Sequence, residues 1–353
     1  MIRNTYSPWK RLRASFLLAP AAMLLLAVGC ERSDPGADGA ADAEPDHEAI
    51  EHELLGFEQR FGQLVEGRAD AGRLLTEMDD FVQRNPDHYE ARRLYAQALQ
   101  VERRFERAYE QLEVAAELNP DDPELRILVG DSAMQAGQYA QAQRHYSRGS
   151  DLEPDSERFR IRLAQSLTEQ QRFDEARRLL LESLRRDSSQ HAAHLGLADL
   201  YARQNRLDMA LEHIDRAVEL APESDVRRRL TYVLRQSALL RRANRPEDAL
   251  AVLRDLPAEQ QVQIAVAQGM ARSWVMLGQP ERAAEHYDYM LSLDPSDDIA
   301  AAEAANWHLQ AGQFDEARQR IEVLRRLNPR SPALPPLEAR LNENQQTAAE
   351  PET

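Results

Sequence analysis

The chain has 353 residues, with 42% hydrophobic and 29% charged side chains, a balance expected to fold as a soluble body rather than stay disordered. Aromatics are only 6% against abundant Ala, Leu, Glu and Arg, a mixture that favours helix because straight side chains lose little rotamer freedom there. The formal net charge of −16 repels phosphate backbones and disfavours nucleic-acid binding, and a single cysteine excludes a disulfide framework or a cysteine-rich metal site.

In chain order the first feature is an address. Arg3, Lys10, Arg11 and Arg13 precede an uncharged run from Ala14 to Val28, followed by Gly29-Cys30. A basic start, a short apolar stretch and small residues before a cut describe a secretory signal peptide over 1–29. The run is short for a bilayer core about 30 Å thick, and Pro20 weakens a spanning helix. Leu26-Ala27-Val28-Gly29-Cys30 resembles the lipobox of bacterial lipoproteins, which implies acylation of Cys30. With Glu31 rather than Asp after the cysteine, the resemblance implies the periplasmic side of the outer membrane. Losing the four leader cations would take the charge from −16 to −20. Residues 30–48 are rich in Asp, Ala, Gly and Pro and read as a solvated tether.

Beyond the tether the sequence repeats. Prolines after Asn, Asp, Glu or Ala stand at Pro86, Pro120, Pro154, Pro222, Pro295 and Pro329, spaced by 34 residues or its double, except for five extra before Pro295. The frame gives units 55–88, 89–122, 123–156, 157–190, 191–224, 230–263, 264–297 and 298–331. Place eight is always small (Gly62, Ala96, Gly130, Ala164, Ala198, Ser237, Ala271, Ala305). Place twenty is alanine in all units but the first, where Leu74 stands, and place twenty-four is always large, from Met78 to Ile321. Small places let two antiparallel helices approach while large ones fill the space beside them. Gly137, Asn205, Asn244, Gly278 and Gly312 share one place between the helices, where a left-handed residue is expected.

This pattern resembles the tetratricopeptide repeat, a 34-residue helix-turn-helix. The resemblance implies an all-α, right-handed superhelical solenoid over 49–341, with eight units and a capping helix at 332–341. Residues 342–353 are expected to be disordered. The family's frequent tryptophan at place four is replaced by Arg92, Arg126, Arg160 and His194, and the alanine at place twenty-seven by Leu256, Met290 and Leu324.

No phosphate loop, nucleophile elbow or HExxH motif is found, so neither an enzyme nor a cofactor is expected. His191 and His194 sit one helical turn apart without an evident third metal ligand, and Asp-rich turns such as Asp121-Asp122 read as helix starts rather than calcium sites. The resemblance implies a groove lined by places 2, 5, 6, 9, 12 and 13 of each first helix. At place five Ile127, Ile161, Leu195 and Leu234 form an apolar ladder, which either lines that groove or packs between helices. Seven arginines and no acid lie between Val226 and Pro246. Arg235, Arg241 and Arg242 take groove places, as do Arg203 and Arg272 of neighbouring units; the choice is between a solvated face and an anion site. The expectation is a membrane-anchored scaffold binding cell-envelope proteins through this groove. Its rival is an accessory lipoprotein of an export machine, for type IV pilus secretin assembly or exopolysaccharide export, with an anionic polysaccharide as ligand.

Overall fold

A computed structural model describes residues 47–65 and 70–349, with side chains to 343. The expected leader, Cys30 and the tether up to residue 46 lie outside the described residues. Helix is the only regular structure among them, and no described helix is long and apolar enough to cross a membrane. The chain divides at Gln170–Gln171 into two units of hairpins.

The first unit holds α1 (His47–Val65), α2 (Ala71–Arg84), α3 (Tyr89–Val101), α4 (Phe105–Leu118), α5 (Pro123–Gln135), α6 (Tyr139–Leu152) and α7 (Glu157–Glu169). The second holds α8 (Phe173–Arg186), α9 (His191–Arg203), α10 (Leu207–Leu220), α11 (Val226–Arg242), α12 (Pro246–Arg254), α13 (Ala258–Gln261), α14 (Ile264–Met276), α15 (Pro280–Leu293), α16 (Asp298–Gln310), α17 (Phe314–Leu327) and α18 (Leu334–Ala349). Within each unit helices pack in consecutive order, α3 on α4 on α5 on α6 and α14 on α15 on α16 on α17.

The repeat phase explains this packing. The seven place-twenty alanines are wholly buried, and the place-twenty-four residues are buried beside them. Nesting is tightest at Gly130, where an added Cβ would come within 2.3 Å of the Tyr146 ring, and at Gly149, where it would meet Phe159 at 2.0 Å. Gly62 holds the same place as Gly130 but has nothing within 4 Å of its would-be Cβ. Between α1 and α2 lies a cleft of about 460 Å³ lined by charged side chains such as Glu53, Arg60, Glu77 and Arg84.

Each described turn inside a hairpin is built alike. Gly137, Asn205, Asn244, Gly278 and Gly312 are left-handed as expected, and Arg103 (φ 60°) and Gln171 (φ 62°) fill the same place. At Gly137 the next amide, Gln138 N–H, donates back to Ala133 O at 2.8 Å and closes the helix end. Starts are capped by Asp122, which accepts from Glu124 N–H at 2.8 Å, and by Asp297, which accepts from Ile299 and Ala300 N–H at 3.0 Å.

The arginines at place four have a structural task. Arg92 Nε donates to Pro86 O at 2.8 Å, Arg126 Nη2 to Pro120 O at 2.8 Å and Ala116 O at 3.2 Å, and Arg160 Nη2 to Pro154 O at 3.5 Å. Each guanidinium satisfies carbonyls left open at the end of the preceding hairpin. Burial, with Arg148 nearby, holds the Arg126 pKa below its ordinary value.

Three expectations need correction. Helix α1 starts at His47, inside the stretch 30–48 expected to be tether. Unit 230–263 has a second helix of only nine residues, since Asp255-Leu256-Pro257 cannot continue it; α13 follows as a separate turn. Lastly, the cap is not confined to 332–341, and disorder does not begin at 342. Helix α18 runs on to Ala349 through Glu, Gln and Ala with no breaker before Pro351, while Leu334, Leu337 and Leu341 bury its inner face.

Candidate binding surface

The apolar ladder does not line an open face. In the first unit Ile127 is buried among Ala133, Ala142, Tyr146 and Phe159, and Ile161 is buried as well. Place five here turns inward, so these two side chains are core and not partner-binding residues. In the second unit Leu195 and Leu234 are half-buried, and Leu234 leans on the cluster of Leu230, Val233, Leu250 and Leu253.

The arginine group is in the second unit, on α9, α11 and α14. Arg235 Nη1 donates to both carboxylate oxygens of Asp199 at 2.7 Å, linking α11 to α9. Arg242 Nη2 reaches Ala202 O at 2.8 Å along the same seam. Arg241 points the other way, its Nη1 donating to Ser237 Oγ at 2.8 Å and Gly269 O at 3.3 Å on α14. Three of the five therefore also tie first helices together, and a purely solvated face is the wrong description. Arg203 and Arg272 are exposed at places thirteen and nine. Of the arginines outside the site, Arg228 pairs with Asp225 at 3.1 Å and Arg245 with Asp248 at 2.6 Å.

The electrostatics single out one end of the group. Burial and the adjacent Arg272 pull Arg241 down to about 10. Burial and Glu303 push the Tyr287 hydroxyl up to about 12, while Arg272 and Arg241 oppose this shift. No carboxylate of the described residues pairs with Arg241 or Arg272, whereas Arg235 has Asp199.

The histidines part company. His194 Nδ1 meets His213 Nδ1 of α10 at 3.1 Å, and His191 Nδ1 meets Tyr232 Oη at 2.9 Å. His191 and His194 thus serve two separate contacts and not one metal. Among the described residues Glu51, His88 and Glu90 bring three ligand-type atoms together. There His88 Nδ1 accepts Ala91 N–H at 3.3 Å, so the ring proton sits on Nε2, facing Glu51 Oε1 at 3.4 Å. A proton already occupies the position a metal would need.

Sequence reasoning missed Asp199, Tyr287 and His213. A signal for the first existed. Asp131 and Asp199 both hold place nine, and Arg162 and Arg235 both hold place six of the following unit; the first pair closes at 2.9 and 3.1 Å, the second at 2.7 Å.

Comparison with known proteins agrees with this architecture. Tetratricopeptide-repeat family models match residues 129–189, 161–225 and 275–341, and the model for anaphase-promoting complex, cyclosome, subunit 3 matches 71–149. No curated protein matches the chain by sequence. Among solved structures, human IFIT1, determined as a dimer with PPP-AAAA, superposes with a TM-score of 0.52 at 15% identity, covering 79% of this chain and 69% of that one. A tetratricopeptide repeat protein from Parabacteroides merdae ATCC 43184 gives 0.51 at 12% identity, covering 72% and 98%. The pilF protein of Pseudomonas aeruginosa gives 0.48 at 17% identity, covering 62% and 96%. Such identities speak of fold alone. By its repeat-model matches and its hairpin-by-hairpin packing, the chain belongs to the tetratricopeptide-repeat family.

Proposed function

We propose that the protein is an interaction scaffold that presents the first-helix face of its second unit to a protein segment, while a lipid on Cys30 holds it in a bacterial cell envelope. The observation that carries this reading is the contrast between helices. The first helices α9, α11 and α14 place Arg203, Arg235, Arg241, Arg242 and Arg272 on one set of repeat places within a chain of net charge −16. A cationic face on an acidic body favours an acidic segment. The half-buried Leu195 and Leu234 add apolar area, each worth about 1 kcal/mol if covered. The rival reading, an accessory of an export machine that grips an anionic polysaccharide, draws on the same arginines but leaves those leucines without a use.

The test compares capture from solubilised envelopes by the mature lipidated chain with capture by two charge reversals. Arg203→Glu with Arg272→Glu alters the first-helix face; Arg216→Glu alters α10 on the other side of the hairpin. A partner lost with the first and kept with the second supports the proposal. Equal capture by all three rejects it. Labelled palmitate entering the chain, and not its Cys30→Ser form, tests the anchor.

A further inference from the structure

We propose that Arg241, Arg272 and Tyr287 form a seat for one carboxylate of an acidic peptide segment. This refines the scaffold reading above and rests on it.

The chain itself shows what such a set of donors does when complete. In the first unit Tyr146, at place twenty-four, donates its hydroxyl to Asp131 Oδ1 at 2.6 Å. Arg162, at place six of the next hairpin, closes on the same carboxylate with Nε at 2.9 Å and Nη2 at 3.1 Å. A phenol, a guanidinium fork and one carboxylate form a finished cluster between neighbouring hairpins.

Tyr287 stands at place twenty-four of its own unit, but place nine, where Asp131 supplied the carboxylate, is Arg272. Place six of the following unit is Glu303, so the signs are exchanged and an Arg272–Glu303 pair would be expected. It does not form: Glu303 Oε2 accepts Trp307 Nε1–H at 3.0 Å on its own helix instead. In its stead a second guanidinium arrives from α11. Arg241 Nη1 reaches the carbonyl of Gly269, at place six of α14, at 3.3 Å.

The result is two guanidiniums and a phenol, with Arg272 bonded to the Tyr287 oxygen and neither guanidinium paired with a carboxylate of the described residues. Arg241 spends only Nη1 on protein acceptors, Ser237 Oγ and Gly269 O. Its remaining donors have no acceptor among the described residues, nor are they sealed from solvent. Burial and, after it, the neighbouring Arg272 both disfavour the Arg241 charge, as its lowered pKa registers. An incoming carboxylate relieves that repulsion, takes the fork of one arginine and accepts the Tyr287 hydroxyl, as Asp131 does in the finished cluster. Glu303 faces the seat and sets a limit: a group of more than one negative charge is repelled more than a carboxylate.

Isothermal titration of the mature chain with a synthetic peptide alternating alanine and glutamate reads the seat directly. Arg272→Gln should weaken binding about ten- to hundredfold, the size expected for hydrogen bonds to a charged group. Tyr287→Phe, which keeps the buried ring, should weaken it several-fold, and Arg245→Gln, whose partner is Asp248, should leave it unchanged. Inorganic phosphate and a polyuronate serve as competitors, and the more highly charged phosphate should displace the peptide poorly. Unchanged peptide affinity in Arg272→Gln, or displacement by phosphate or polyuronate better than by peptide, overturns the seat. The envelope capture above reads the scaffold without this peptide, so a partner still retained by the first-helix face would show that only the seat had failed.

Discussion

Replacing Gly149 with alanine tests the nesting of hairpins at its tightest point. An alanine Cβ there would stand 2.0 Å from Cε1, 2.4 Å from Cζ and 2.5 Å from Cδ1 of Phe159. The Phe159 ring is wholly buried, with Ile127 and Tyr146 in its cluster, so it cannot swing into solvent. Overpacking a filled core costs about 1–3 kcal/mol, and a contact this short belongs near 3. Against it, alanine in place of glycine within a helix gains about 1 kcal/mol. The net expectation is a loss of about 2 kcal/mol, read as a fall of about 1 M in the urea midpoint by far-ultraviolet circular dichroism. Gly56→Ala is the matched control: nothing lies within 4 Å of its Cβ, so the helix gain should appear alone as stabilisation. Adding Phe159→Leu to Gly149→Ala should recover part of the loss. If Gly149→Ala equals the parent or exceeds it, the close approach of α6 and α7 is wrong, and with it the reason for small residues in the repeat.

Acid should destabilise the fold. Burial holds His145, His191, His194, His213 and His286 below 6.5, so the native chain refuses protons that the unfolded chain accepts; their stability contribution is complete above 6.5 and lost as pH falls through it. His308 runs opposite, raised by Asp288 and Gln313, and its contribution fades only as pH rises past its folded pKa. With five against one, the urea midpoint should drop between about pH 7.5 and pH 5, and an unchanged or higher midpoint at the acid end contradicts these environments. Gln171→Gly should stabilise by about 1 kcal/mol, because Gln171 is exposed and held at φ 62°; a loss on thermal melting would show that the side chain and not the backbone matters there. Asp288→Asn should cost about 2–3 kcal/mol, since Asp288 accepts His308 Nε2–H at 2.9 Å and Arg320 Nε–H at 2.7 Å with only a quarter of its side chain exposed. The same change should lower the His308 pKa by nuclear magnetic resonance, a shift that a merely weakened fold would not produce.

The hairpin phase was legible because it is written in side-chain volume. Alanine at place twenty and a large residue at place twenty-four recur whatever else changes, and both proved buried in every unit that carries them. The left-handed places were readable where Gly or Asn holds them, as at Gly137 and Asn205, and invisible at Arg103 and Gln171, whose types argue against positive φ. The place-five ladder failed for a geometric reason. An apolar residue there reads the same whether it ends up covered or open, and Ile127 and Ile161 are buried. The arginines were found by composition, but their partners lie one hairpin away. That Arg235 is spent on Asp199 while Arg241 and Arg272 lack a carboxylate depends on where helices come to rest. Glu303 turning to Trp307 instead of to Arg272 has no trace in the order of residues.

The central claim is that partners are met by the first helices of the second unit. Amide hydrogen exchange of the mature chain, with and without its captured partner, tests this most directly. The account predicts slowed exchange in α9, α11 and α14, with α10, α12 and α15 unaltered. Slowing confined to those second helices, or to α1 and α2, would contradict it.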